Sequence, residues 1–361
     1  MSSPAPKLLI LTLGRRGGSV RYATSIINAM TRVEKTVYSS SFCIEEAPLG
    51  AFKIKTYRNK FEFILSSLFV LPWIMLKVMA QLWMGKFNIL YTPYTHHWNC
   101  VFIILFKAFG LKTVSTVHDG IPHVGDGNKF QKWINRITLD QSDQLIFLTE
   151  YVRDFLKQRV GYRAQCRVIP HGIIRVEGAC PKIKSHPKKF NLLFLGRICQ
   201  YKGVDLLMDA LQYLDANQIA SIVIAGEVND LQKHLKQKST RIPVKWMDKW
   251  LTEQEMSEQL SNAHILVLPY REATQSGVMT IGIASGLPMV CTKTGGLREQ
   301  CNETECLFVD SHAKAIAEGI QRYIDFPEAY QSIQHALEIK RRSLSWDIIA
   351  NDIVEFIQIA D

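Results

Sequence analysis

With 361 residues, of which 47% are hydrophobic and 21% charged, the chain is long enough for two folded domains, and its balance excludes a disordered or fibrous protein. The formal net charge is +10, and residues 1–60 carry ten Lys/Arg against three Asp/Glu, whereas residues 345–361 hold only acidic charges. A basic first half suits a phosphate-bearing ligand or an anionic membrane surface. No helix-turn-helix, zinc-knuckle or aromatic RNA-binding pattern accompanies the charge, so no nucleic-acid partner is expected. Eight cysteines are scattered without a Cys-x-x-Cys pair, which predicts reduced thiols in a cytoplasmic protein rather than a zinc site or a disulfide framework. Residues 1–7 lack a charged stretch leading into a long apolar core, and residues 8–13 are too short for a signal sequence.

Residues 8–13 form a continuous apolar run, the pattern of a strand buried on both faces. The run ends in Gly14-Arg15-Arg16-Gly17-Gly18-Ser19, and a helix is predicted over residues 20–33. A strand feeding a glycine turn and a helix favours phosphate, although the spacing is not the dinucleotide G-x-G-x-x-G pattern. A solvated basic loop is the alternative. Residues 61–83 are the most apolar stretch, interrupted by Pro72 and Lys77, so the uninterrupted part has the length of a buried or interfacial segment. Trp73, Trp83, Lys77 and Lys86 suit a bilayer surface, and a plain core helix is the other reading. A strand at 87–92 and a helix at 95–109 precede a strand at 112–117, which delivers His118-Asp119-Gly120 to its end. Open parallel sheets bind ligands beyond those ends, which makes His118 a candidate functional residue. His123, Asp126 and Lys129 come next in a glycine-rich loop. Strands at 144–148 and 167–170 flank a helix at 150–159, and the polar stretch 180–189, with two prolines, reads as an interdomain linker.

The alternation then restarts, with strands at 190–195, 219–225, 244–246 and 264–268 and helices at 204–214, 231–237 and 253–262. Next comes Leu268-Pro269-Tyr270-Arg271-Glu272-Ala273-Thr274-Gln275-Ser276-Gly277-Val278, an apolar strand ending in a small-residue turn, with a helix capped by Gly286 and a second glycine turn at Gly295-Gly296. A helix starting at Thr274-Gln275-Ser276-Gly277 offers free N–H groups and short hydroxyls to an anionic or polyhydroxy ligand. Two β-α series predict an α/β fold of two doubly wound Rossmann-like domains facing across a cleft. Their predicted bounds are 1–170 and 171–345, with a helix at 346–361 packing back toward the first domain. In the turn Gly196 to Gly203, Arg197 and Lys202 stand where they can grip one polyanion from two sides, and neutralising a departing diphosphate is the demanding part of breaking a sugar–phosphate bond.

The set Gly196-Arg197, Tyr201-Lys202-Gly203, Leu268-Pro269-Tyr270, Ala273 to Val278, Gly286-Leu287-Pro288 and Gly295-Gly296-Leu297-Arg298-Glu299 resembles the second half of retaining GT-B glycosyltransferases. That large family includes sucrose synthase and many polysaccharide-assembly enzymes. The resemblance implies that Arg197 and Lys202, with Gly196 beside them, bind the diphosphate of a nucleotide sugar, and that His118 faces the donor sugar. It places Gly17-Gly18 near the phosphates and gives Thr274, Gln275, Ser276 and Gly277 the sugar and its phosphate. It also puts Met247, together with Asp248 and Trp250, near the base. The family carries two glutamates eight positions apart; here those places hold Ala273 and Ile281 or, shifted by one, Glu272 and Thr280. Glu272 is then the carboxylate for the sugar, and the ribose glutamate is missing.

The same resemblance implies metal-independent, retaining transfer of a hexose to a glycan or polyprenyl-diphosphate-linked acceptor in cell-surface polysaccharide synthesis. No cofactor is expected beyond the nucleotide-diphosphate sugar as co-substrate, and the expected location is peripheral, on the cytoplasmic face of the cell membrane. A catalytically degenerate binding protein and a nucleotide-sugar epimerase are the alternatives. Hydrolysis by paired carboxylates finds no candidate pair in the spacing.

Overall fold

A computed structural model of the chain describes residues 6–119, 129–179 and 183–359. It divides into two compact units, Met1–Gly172 with Trp346–Asp361, and Ile173–Ser345. The first unit contains β1 (Lys7–Thr12), α1 (Gly18–Ala29), β2 (Glu34–Ser40), β3 (Phe52–Ile54), α2 (Lys60–Trp83), β4 (Ile89–Thr92), α3 (Asn99–Ala108), β5 (Lys112–Val117), α4 (Lys129–Gln141), β6 (Gln144–Phe147), α5 (Glu150–Arg159) and β7 (Gln165–Val168). The second contains β8 (Phe190–Leu195), α6 (Val204–Ala210), β9 (Ile219–Ala225), β10 (Val244–Met247), α7 (Glu253–Asn262), β11 (Ile265–Leu268), α8 (Gly277–Ser285), β12 (Met289–Thr292), α9 (Leu297–Gln300), β13 (Leu307–Val309), α10 (Ala313–Asp325) and α11 (Pro327–Ser343). The last helix, α12 (Trp346–Gln358), returns to the first unit, where Ile349, Ile353 and Phe356 join the core under α1.

Both sheets are parallel, seven strands in the order β3-β2-β1-β4-β5-β6-β7 and six in the order β10-β9-β8-β11-β12-β13. The period-two alternation of β1 sends Leu8 and Ile10 into one core layer and Leu9 and Leu11 into the other, which is why the strand reads as an unbroken apolar run. In each sheet the strand order reverses once, between β1 and β4 and between β8 and β11. Connections leave to opposite faces there, and the carboxyl ends open a crevice suited to a ligand.

Several elements depart from expectation. Strands β2 and β3 lie where none was expected, because only the carboxyl half of β2 is buried and its first residues are polar. Helix α1 stops at Ala29, short of residue 33, so that the chain can turn into β2. Lys129, expected in a loop, opens α4, while His123 and Asp126 lie outside the described residues. In the second unit, helices expected at 204–214 and 231–237 are partly and wholly 3₁₀ in geometry.

Helix α2 is continuous over 24 residues with Pro72 inside it, so the expected interruption is absent. A proline removes one i→i−4 bond and kinks a helix, but the remaining turns of a long, docked helix hold it together. Asn59 caps it by accepting from the Glu62 N–H at 2.9 Å. Leu71, Ile74 and Val78 are buried, Tyr38 Oη donates to Gln81 Oε1 at 2.9 Å, and Trp98 Nε1 donates to Ser67 Oγ at 3.0 Å. The outer face is equally apolar, with exposure running from 56% at Trp73 to 82% at Trp83 and including Phe61, Leu68, Phe69 and Leu76. It is therefore no plain core helix, and the face docked on the sheet would have to be torn away for it to cross a bilayer.

Candidate active site

The loops after β8 and β11 meet at the reversal point of the second sheet. Gly203 has φ 65°, and a Cβ there would lie 1.9 Å from the Pro269 carbonyl oxygen, so glycine is required for this approach. The Arg271 N–H donates to the Tyr201 carbonyl at 2.8 Å, and its guanidinium grips Asp205 through two bonds of 2.6 Å. These contacts lock the first loop against the second. Gly226, at the end of β9, completes the packing, since a Cβ on it would lie 2.0 Å from the Gly196 carbonyl oxygen.

On this frame the structure brings Arg197 and Lys202 together around Tyr201. Arg197 Nη2 donates to Tyr201 Oη at 3.1 Å. Lys202 Nζ stands 3.7 Å from the ring centre of buried Tyr270 and 5.3 Å from that of Tyr201. A ring face holds an ammonium in place without cancelling its charge. Burial drives the Tyr270 hydroxyl well above its ordinary pKa and keeps it neutral beneath the lysine.

Helix α8 begins beside these cations. Ser276 is its N-cap and is buried; its Oγ accepts from the Met279 N–H at 3.2 Å, and its own N–H donates to Gln300 Oε1 at 2.6 Å. The expected free serine hydroxyl and amide are thus taken, because a buried helix start must satisfy its own polar groups first. Among the described residues the amides of Gly277 and Val278 have no protein acceptor. The buried Gln275 Oε1 has no partner among the described residues and is an acceptor fitted to a ligand hydroxyl or amide. Thr274 is half-buried in the same turn, and Glu272 is exposed at its lip with its N–H 3.5 Å from the Tyr201 carbonyl. Thr280, at the place of the ribose glutamate, is 1% exposed in α8, and its hydroxyl donates back to the Gly277 carbonyl at 2.8 Å. Ile281 is also buried, so no carboxylate occupies either position.

Met247 ends the outer strand β10, with β9 between it and β8. Its carbonyl accepts from Gly226 and Lys249 N–H groups, each at 3.0 Å. Asp248 accepts from the Val228 N–H at 2.8 Å and from Lys236, and that lysine holds its carboxyl below the ordinary range.

In the first unit, the Gly17 N–H donates to Glu45 Oε1 at 3.3 Å, and Glu45 Oε2 receives Arg21 Nε at 2.8 Å. The chain's own carboxylate therefore sits at the start of α1, beside exposed Gly18, where a phosphate was expected. His118 ends β5 with Nε2 2.9 Å from the Pro93 carbonyl, which can only accept, so Nε2 carries the proton. Burial lowers its pKa, and among the described residues the bare, buried Nδ1 has no hydrogen-bond partner. Tyr22 and His171 meet the ring edge-on, and Trp346 packs edge-on against both of them, an aromatic cluster that sequence spacing does not reveal.

Residues 16–175 match the model of glycosyltransferase family 4, and residues 189–325 match that of the glycosyl transferases group 1. The chain belongs to the group 1 glycosyl transferases. It is 25% identical over 240 residues to the GDP-mannose-dependent alpha-(1-6)-phosphatidylinositol dimannoside mannosyltransferase of Mycobacterium tuberculosis, a match spanning 62% of each chain. It is 26% identical over 172 residues to the glycogen synthase of Thermodesulfovibrio yellowstonii, covering 45% of this chain and 34% of that one. Among solved structures, Anabaena HepE in complex with UDP and glucose superposes with a TM-score of 0.77 at 16% identity, over 98% of this chain and 100% of the other. Sucrose-phosphate synthase of Thermosynechococcus elongatus gives 0.75 at 17% identity, over 97% and 98%. These neighbours establish the GT-B fold of two parallel-sheet units with alternating helices. Arg197, Lys202 and the start of α8 lie inside the second matched range, and His118 inside the first.

Proposed function

We propose that the chain transfers a hexose from a nucleotide-diphosphate sugar to a glycan or lipid-linked glycan, with retention of configuration, in cell-surface polysaccharide synthesis. The observation that carries this is the pairing of Arg197 and Lys202 around Tyr201, next to the open amides of α8. As the anomeric C–O bond breaks, charge collects on the departing diphosphate. Arg197 meets it with a planar fork, Lys202 with a point charge, and the Gly277 and Val278 amides with aligned dipoles. The leaving phosphate oxygen takes the acceptor's proton, so no side-chain base is required. Gln275 Oε1 accepts from a donor hydroxyl.

The outer face of α2, flanked by exposed Lys53, Lys55, Lys60 and Lys86, is the surface we assign to an anionic membrane. The named ligands of the relatives, GDP-mannose for one and UDP with glucose for another, set the range of donors to screen.

The test is a thermal-shift screen of UDP- and GDP-sugars, followed by mass analysis of product and NMR of the new anomeric centre. A donor that raises the melting temperature and yields a retained glycoside supports the function. Binding with no transfer across acceptors makes the chain a binding protein, product without acceptor makes it an epimerase, and an inverted product removes the retaining assignment.

A further inference from the structure

The loop after β12 is bonded step by step to the loop after β11. The two strands pair in parallel as far as Leu268 and Cys291, and side chains and one amide continue the pairing beyond the sheet. Thr292 Oγ1 donates to the Tyr270 carbonyl at 2.5 Å, Thr294 Oγ1 to the Arg271 carbonyl at 2.9 Å, and the Gly296 N–H to the Ala273 carbonyl at 3.1 Å. Helix α9, anchored by buried Leu297, then brings Gln300 to the end of this series.

Gln300 is 7% exposed and meets a single residue at two points. Its Oε1 accepts from the Ser276 N–H at 2.6 Å, and its Nε2 donates to the Ser276 carbonyl at 3.3 Å. A side-chain amide carries an acceptor and a donor side by side, so it pairs with one residue's N–H and C=O as a neighbouring strand would. The Ser276 carbonyl belongs to the same planar trans peptide unit as the Gly277 N–H, and the two point in opposite directions. Holding the oxygen from behind therefore aims the Gly277 hydrogen outward, at the open start of α8. The bond to the carbonyl also polarises the peptide unit and strengthens that N–H as a donor.

We propose that Gln300 is a positioning residue for the transfer reaction: acting through the Ser276–Gly277 peptide, it fixes the direction of the Gly277 N–H toward the diphosphate. An amide dipole stabilises charge on a leaving group most when it is aligned before the bond breaks, and a peptide unit free to swing would lose part of that effect. The two-point grip needs an amide at position 300; an apolar side chain of the same length would fill the space and leave the peptide unheld. The role rests on the reading of this site as the diphosphate site, and nucleotide-sugar binding tests it without turnover.

Calorimetry of the full chain with UDP-glucose and GDP-mannose supplies the test. Gln300→Met keeps the length and loses both bonds, and should weaken whichever probe the unaltered chain binds by about tenfold. In the free chain it should speed amide exchange at residues 275–278 and leave β8 and β12 unchanged. Gln300→Glu separates orientation from packing. Ionised, its carboxylate faces the Ser276 carbonyl and repels it; protonated, its O–H donates where Nε2 did. Burial raises the carboxyl pKa, so affinity relative to the unaltered chain should be down about tenfold at pH 8 and within about threefold at pH 5.5. Unchanged affinity in Gln300→Met, or a Gln300→Glu deficit that is the same at both pH values, overturns the role. Melting temperatures check the fold, and Gln300→Glu, compared with itself across pH, decides the matter if Gln300→Met does not fold. Failure of both probes to bind the unaltered chain refutes the transfer reading and this role with it; binding that ignores both substitutions refutes the role of Gln300 alone.

Discussion

The two sheet reversal points share a local plan and differ in chemistry. Strand β4 runs into Pro93-Tyr94 and strand β11 into Pro269-Tyr270, and in each unit a glycine from the neighbouring loop presses against this corner. In the first unit the Gly14 N–H donates to Tyr94 Oη at 2.7 Å, and the Pro93 carbonyl fixes His118. In the second, Gly203 fits against the Pro269 carbonyl, and the Tyr270 ring carries Lys202. The same corner thus presents neutral histidines and aromatics in one unit and two cations in the other. Backbone topology decides where a ligand can sit, and the side chains around it decide which part of a reaction it serves.

Removing the cations should break the contrast most severely. Arg197→Ala with Lys202→Ala is expected to lower transfer by about a thousandfold, because charge stabilisation of the leaving group carries the barrier. Both residues are at least partly exposed, so the melting temperature should change little, and full transfer in the double variant would remove the assignment.

A tight glycine and an open one, both at positive φ, can be compared directly. Gly203→Ala meets both a left-handed φ and a Cβ contact of 1.9 Å, and should destabilise the chain by more than about 3 kcal/mol in urea unfolding. Gly17, at φ 104° with open space around it, should lose only about 1–2 kcal/mol on the same change. Equal losses would show that the close approach to Pro269 does not constrain the loop.

Acid should weaken the first unit more than the second. His96 and His171, both held near 3 chiefly by burial, stay neutral in the folded chain while the unfolded chain takes up protons near 6.5. Folded pKa values below the unfolded ones mean that stability is complete above pH 6.5 and falls as pH drops toward 3. The expected slope approaches about 1.4 kcal/mol per pH unit for each buried histidine. The second unit has His264, held at about 4 and only half-buried. Hydrogen-exchange protection, taken relative to the intrinsic rate at each pH, should therefore fall from pH 7 to 5 in β1 and β4 before β8 and β11, and the reverse order would contradict this. The smallest effect is expected from Ser276→Ala, about 1 kcal/mol from the lost cap of α8.

Much of the scaffold was legible in the chain. Buried parallel strands leave apolar runs, and β1, β8 and β9 show them; glycine marks tight corners, and Gly286 does cap α8 with φ 63°. The polar start of β2 hid a strand whose burial begins only at Val37, and Pro72 suggested a break that packing overrides. Likewise the loop 196–203 announced its two cations, whereas the Tyr270 ring that holds Lys202, and the Asp205–Arg271 clamp, arise from partners 66 and more residues apart.

The sequence by itself determined which units form, two β-α series with their glycine corners, and which residue types are available at the strand ends. Hydrophobic period and backbone freedom are local properties, so they survive without coordinates. Only the tertiary structure decided which of those residues are spent inside the fold and which stay open. Ser276, Thr280 and Gly17 are already satisfied by Met279, Gly277 and Glu45, while the buried Gln275 Oε1 and His118 Nδ1 have no partner among the described residues. Whether a polar group is free for a ligand depends on hydrogen bonds across space, and no spacing along the chain records them.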